Sequence, residues 1–170
     1  MKRIFFLLIA VFSLSASAQN SAPVLKFGFL SYDAVLQSMP DYAVVETNME
    51  KLREQYADEQ KRVEGEFNKK YEEFLDGQRD FPQTILQKRQ SELQELLEKN
   101  IAFKKESLRL LEQAQEEAMA PLKARLATVL AKVGTERGLA FILNTDQNAT
   151  PWISPTMGED VTEAVKAALR

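Results

Sequence analysis

Cysteine and histidine are both absent from the 170 residues. Without cysteine there is no disulfide to staple a small body, and no thiolate to act as nucleophile or metal ligand. Without histidine, the side chain that most often serves as a general base near neutral pH and binds transition metals is gone. Glycine and proline are scarce, at six each, and tryptophan occurs once. So little punctuation favours long, uninterrupted elements. No G-x-x-x-x-G-K-[ST] loop is present, which removes the usual sequence signal for ATP use. Positive charge is in deficit, 22 basic against 25 acidic residues, so the chain is not built to seek nucleic acid electrostatically. The common catalytic constellations are excluded, and no catalytic, cofactor-binding or metal site is expected.

A long apolar run is also missing, apart from one at the start. Met1-Lys2-Arg3 is a positive n-region, Ile4 to Leu14 an apolar core, and Ala16-Ser17-Ala18 an A-x-A cleavage signal. That core is far shorter than the roughly 20 residues a bilayer span needs. Residues 1–18 therefore read as a signal peptide, cleaved after Ala18, on an exported protein. The mature chain carries 20 basic and 25 acidic residues.

What the sequence has in abundance is helix. From Asp41 to Val133 the pattern is helical almost throughout, broken once by Asp76-Gly77-Gln78-Arg79-Asp80-Phe81-Pro82, a cluster of turn formers. Two long helices joined so briefly must fold back on each other. Arms of roughly 35 and 50 residues would reach about 50–75 Å at 1.5 Å per residue. Such a shape suits holding or spacing something better than catalysis.

The outgoing arm has its apolar residues at Tyr42, Val45, Met49, Leu52 and Tyr56, a heptad seam. Glu59 interrupts it, and the seam resumes at Val63, Phe67, Tyr71 and Phe74 with a four-residue slip. The returning arm offers Leu86, Leu93, Leu97, Ile101, Leu108, Leu111, Ala118, Leu122, Leu126, Val129 and Val133 on one face. Pro121 should kink it, and Gly134 and Gly138 should end it.

On either side of the hairpin lie the pieces of a small base. Leu25, Phe27 and Phe29 alternate as the buried face of a strand, and a short helix runs from Tyr32 to Met39. After the hairpin, Leu139 to Leu143 reads as a strand, and Trp152-Ile153-Ser154 as another. Asp160 caps a last helix, with Glu163 completing a capping box. Residues 24–40 and 134–170 thus form a discontinuous β/α body of 54 residues, and 41–133 the hairpin with its tip at 76–82. A body so small, lacking disulfide and metal and leaving strand edges open, is expected to self-associate.

Phe27-Gly28-Phe29-Leu30-Ser31-Tyr32, Ser38-Met39-Pro40-Asp41-Tyr42, Pro121-Leu122 and Glu136-Arg137-Gly138-Leu139-Ala140-Phe141-Ile142-Leu143 occur in this order around a charged hairpin. With the closing Asp160-Val161-Thr162 helix, they resemble the OmpH/Skp family of periplasmic chaperones for outer-membrane proteins. The resemblance spans essentially the whole mature chain. It implies a periplasmic trimer whose bases share a β-barrel; Phe27, Phe29, Phe141, Leu143 and Trp152 are expected to contribute to its core. Three helical tentacles would surround a cavity that receives unfolded outer-membrane β-barrel proteins without ATP.

One departure stands out. Studied members of the family are strongly basic, whereas the hairpin here, Asp41 to Arg125, holds 19 acidic and 15 basic residues. The doublets Lys69-Lys70, Lys88-Arg89 and Lys104-Lys105 read as ordinary solvated helix charges. Lipopolysaccharide and anionic lipid are not expected partners. Client contact is expected from apolar area at Phe67, Tyr71, Phe74, Phe81 and Phe103, which otherwise would pack arm on arm. The competing reading is a periplasmic spacer or adaptor, for which the broken seam after Tyr56 and the mixed-charge tip are poorly suited.

Overall fold

The computed structural model describes residues 25–170; the signal segment at 1–18 and its cleavage site lie outside them. In chain order the elements are β1 (Phe27–Leu30), α1 (Tyr32–Gln37), α2 (Pro40–Gly77), α3 (Gln83–Glu136), β2 (Ile142–Asn144), a 3-10 turn (Asp146–Asn148), β3 (Gly158–Asp160) and α4 (Thr162–Leu169). The protein is mostly helical, with a small parallel sheet.

Local chemistry explains where the arms begin and end. Met39 is extended, as a residue before proline must be, and Pro40 enters the first turn of α2 with Asp41 at the positive end of the helix. At the tip the Asp80 N–H donates to the Gly77 carbonyl at 3.0 Å. The Phe81 ring lies so close to Gly77 that a Cβ there would stand 2.4 Å from it. Beyond Pro82 the N–H groups of Ile85 and Leu86 both donate to the Pro82 carbonyl at 2.9 Å. Helices of 38 and 54 residues extend about 57 and 81 Å.

α3 runs on through Pro121, held there by Met119 and Leu122, each 6% exposed. Packing on both sides keeps the turn despite the missing N–H. Gly134 likewise lies inside the helix, which ends two residues later. Gly138, at φ +63°, closes a Schellman motif: its own N–H donates to the Thr135 carbonyl, and that of Leu139 to the Gly134 carbonyl at 2.9 Å.

The sheet has the order β2-β1-β3, all parallel. Its inner face is the reverse of the one expected. Gly28 and Leu30 are buried, while Phe27 and Phe29 are half-buried on the outer face. Gly28 is the cause: a Cβ on it would come within 2.9 Å of Leu139 and 3.2 Å of Ile142 and Val161. Only a glycine lets these side chains close over the strand. The second flanking strand is Gly158–Asp160, not Trp152–Ser154; Trp152 sits in the preceding loop, 75% exposed. β2 starts at Ile142, later than the apolar run suggested.

The core lies where the sheet meets the root of the hairpin. Leu30, Val35, Leu36 and Met39 pack with Met119, Leu122, Leu126 and Val133 of α3, and with Val161, Val165 and Leu169. Base and arm root therefore share one core. Arg125 of α3 ties the joint, donating to the Leu169 carbonyl at 2.7 Å and pairing with Asp41 at 3.5 Å. Asp160 takes the Thr162 N–H at 2.9 Å, but Glu163 pairs forward with Lys166 and does not complete a capping box.

Candidate client-binding arm

The two arms meet along a seam that differs from the one apolar periodicity suggests. On α2, Tyr42, Val45, Met49, Leu52, Tyr56, Val63, Phe67 and Phe74 are all half-buried or buried. Glu59 and Lys70 are half-buried too, while Tyr71 is 44% exposed. The steps 56, 59, 63, 67, 70, 74 are three, four, four, three and four, so the heptad register runs on through Glu59 and slips once, between Val63 and Phe67. At Glu59 the change is one of composition, and the change of register comes one turn later, between Val63 and Phe67.

On α3 the same exchange is more pronounced. Asn100, Phe103 and Ser107 face α2, whereas Leu97, Ile101 and Leu108 are 45%, 61% and 62% exposed. In neighbouring pairs, Asn100 with Ile101 and Ser107 with Leu108, the polar member is turned in and the apolar member out. The inward polar groups are satisfied. Asn100 Nδ2 donates to the Val63 carbonyl at 3.1 Å, and Ser107 Oγ to the Lys104 carbonyl at 2.9 Å. Arg53 reaches across to Gln115 at 3.0 Å. These polar groups occupy the seam while Leu97, Ile101 and Leu108 remain outside it.

The five aromatic candidates divide accordingly. Phe103 belongs to the seam, its ring 6.3 Å from Tyr56. Phe67 is half-buried and stacks on exposed Tyr71, centroids 6.0 Å apart. Phe67 also lines a groove between the arms with Leu97 and Ile101, whose other walls are Gln60, Glu64, Asn68, Asn100 and Lys104. Phe74 and Phe81 line a cavity at the tip with Leu93, bordered by Lys70, Glu73, Arg89 and Glu92. Phe81 folds back over Gly77. Sequence reasoning did not propose Leu97, Ile101 or Leu108 as contact residues, because their spacing is that of a seam. The one signal available was the polar character of Asn100 and Ser107, which carries no direction by itself.

Charge along the arm is largely answered locally. Arg62 makes a two-pronged contact with Glu59, holding that carboxyl below and the guanidinium above their ordinary pKa values; Arg109 does the same with Glu106. Lys88 and Arg89 both face Glu92. Among the described residues, no group of three or more histidine, cysteine, aspartate or glutamate side chains is arranged to hold a metal, and no helix is long and apolar enough to cross a membrane.

In the base, Phe27 stacks on Phe141 at 5.4 Å, and Phe29 pairs in register with Leu143. Neither pair, nor Trp152, belongs to the chain's own core. Together with Phe141 and Trp152, Leu25 and Met157 are also exposed, at 53% and 39%, and among the described residues no further strand pairs with the outer edges of β2 and β3.

Residues 26–169 match the model of the OmpH family, outer membrane protein (OmpH-like). No relative among curated protein sequences matches. The fold is similar to that of an OmpH-like protein from Caulobacter crescentus CB15, suggested to be an outer membrane chaperone. The TM-score is 0.65 and identity 18%, covering 86% of this chain and 85% of that one.

Proposed function

The chain belongs to the OmpH-like family, and on that premise we propose that it is an ATP-independent periplasmic holdase for unfolded outer-membrane β-barrel proteins. The observation that carries this reading is the exposed apolar surface of the arm, where Leu97, Ile101, Leu108 and Tyr71 face solvent beside half-buried Phe67. A folded protein seldom keeps such a row uncovered without a use for it. Unfolded β-rich chains offer apolar segments that aggregate through their edges. Many weak apolar contacts along a long arm hold such a chain without imposing one conformation.

The reading extends to assembly. Residues 24–40 and 134–170 act as the body, and three bodies join through the apolar outer face of their sheets, with Phe27, Phe29, Phe141, Leu143 and Trp152 at the joint. Three hairpins, 41–133, then enclose a cavity. Phe67 and Tyr71 face the client, Phe74 and Phe81 serve it at the tip, and Phe103 chiefly maintains the seam.

The test is dilution of a denatured outer-membrane β-barrel protein into the mature chain without ATP. Light scattering should stay low with the intact protein. It should rise when Val63 through Leu97 are replaced by a short turn, which removes the ends of both arms. Equal protection by the shortened chain would show that the arms are not the binding element, and no protection by the intact chain would dismiss the holdase reading.

A further inference from the structure

One member of the exposed row is not apolar. Leu97, Ile101, Lys104 and Leu108 follow at steps of four, three and four, a solvent-facing heptad row on the flank of α3 beside the seam. Lys104 borders the same groove as Phe67, Leu97 and Ile101. Among the described residues it takes part in no ion pair, unlike Arg89 and Arg109 on the same helix.

An apolar heptad row facing outward invites a second helix, and first of all the same row of a second copy. Copies arranged about a symmetry axis would bring Lys104 against Lys104. Like charges pressed together between leucines are repelled more strongly than in open water. A lysine at such a position sets a row against pairing with itself, as charged seam residues do in coiled coils. Its methylene stem still adds apolar area, and its ammonium attracts a carboxylate. The row thus rejects its own kind and accepts an apolar segment of opposite charge.

We propose that Lys104 reserves this surface for clients. It repels the same row of a second copy, and among apolar segments of an unfolded chain it selects those that place an acidic side chain opposite it. The inference rests on the holdase reading above and assigns a selectivity to that site.

The experiment uses the full mature chain and two fluorescent peptides of one apolar sequence, differing only in a central Glu or Lys. The wild-type protein should bind the Glu peptide about fivefold more tightly. Lys104→Glu should invert that order while leaving the assembly unchanged, because repulsion between copies persists. Lys104→Leu should bind both peptides alike and let the arms pair. Pairing would appear as a higher sedimenting mass, or as a shorter distance between spin labels on Arg79→Cys at the tips of one assembly. The chain has no cysteine of its own, so the label is unique.

Position 104 is exposed, so all variants should keep their helical circular dichroism. The proposal is overturned if Lys104→Glu retains the wild-type preference, or if Lys104→Leu neither gains mass nor draws its tips together. The dilution assay is run beside it with the wild-type chain. Protection with an unchanged peptide preference removes the role of Lys104 alone, and absence of protection removes the holdase reading beneath it.

Discussion

Asn100 donates its side-chain amide to the Val63 carbonyl across the arms at 3.1 Å, while Ile101 beside it stands 61% exposed. The hydrogen bond fixes the rotation of α3 at this level. It holds a polar residue against α2 and so keeps the neighbouring isoleucine outside. An apolar residue at 100 would remove this restraint and offer α3 two competing faces.

Phe103 tests how seam and client surface are divided. Phe103→Ala removes half of a half-buried ring contact with Tyr56. It should lower stability by about 1–3 kcal/mol, less than a fully buried phenylalanine would cost. Urea unfolding measures that loss, and aggregation assays at a temperature where the variant is folded should show protection little changed. A variant of full stability that no longer protects would move Phe103 to the client surface.

The same substitution at two glycines should have opposite signs. Gly65 lies within α2 with nothing within 4 Å of where a Cβ would sit, and Gly77 has the Phe81 ring at 2.4 Å. Gly65→Ala should stabilise by about 0.5–1 kcal/mol, since alanine loses less backbone entropy in a helix. Gly77→Ala should destabilise and displace Phe81. Midpoints of chemical unfolding for the two variants decide the signs.

Phe141→Asp should dissociate the assembly and leave the single chain folded. Phe141 is 45% exposed within one chain, stacked on Phe27, so the charge stays hydrated in a monomer but would be buried in a joint between copies. Sedimentation should give an oligomer for the wild type and a folded monomer for the variant. A monomeric wild type would refute the trimeric body.

Asp146 makes the base sensitive to acid. Its carboxylate accepts from Ser31 Oγ at 2.5 Å and from the Asp33 N–H at 2.9 Å, joining the loop after β2 to the start of α1. The Ser31 hydrogen bond, followed by that from Asp33, holds the Asp146 carboxyl below its ordinary pKa. A group whose pKa is depressed on folding adds stability above its unfolded value and loses it as pH falls through the folded one. Stability should therefore drop below about pH 4. Asp146→Asn should be less stable at neutral pH and have a shallower acid limb. Unfolding midpoints measured between about pH 3 and pH 7 check both.

Client protection should change little between low and physiological salt. The hairpin carries 19 acidic and 15 basic residues from Asp41 to Arg125, and its contact surface is chiefly apolar, which salt does not screen. Binding to polyanions should be weak at both ionic strengths. A steep loss of protection with salt would shift the role to the basic doublets.

The sequence alone determined the long helical elements and their punctuation. Pro40, the turn formers around Gly77 and Pro82, and Gly138 act on their own backbone neighbours, so their effect is readable without knowing what lies across from them. Facing was decided elsewhere. Adjacent residues on a helix point about 100° apart and on a strand about 180° apart, so a shift of one position exchanges inside for outside. At Asn100 and Ile101 the choice rests on a carbonyl of the other arm, Val63. In β1 it rests on Leu139, Ile142 and Val161 closing over Gly28. The same holds for Trp152, left outside because Gly158–Asp160 took the place beside β1. Each of these partners is remote in the chain, and burial is an energy of pairs brought together only by the fold.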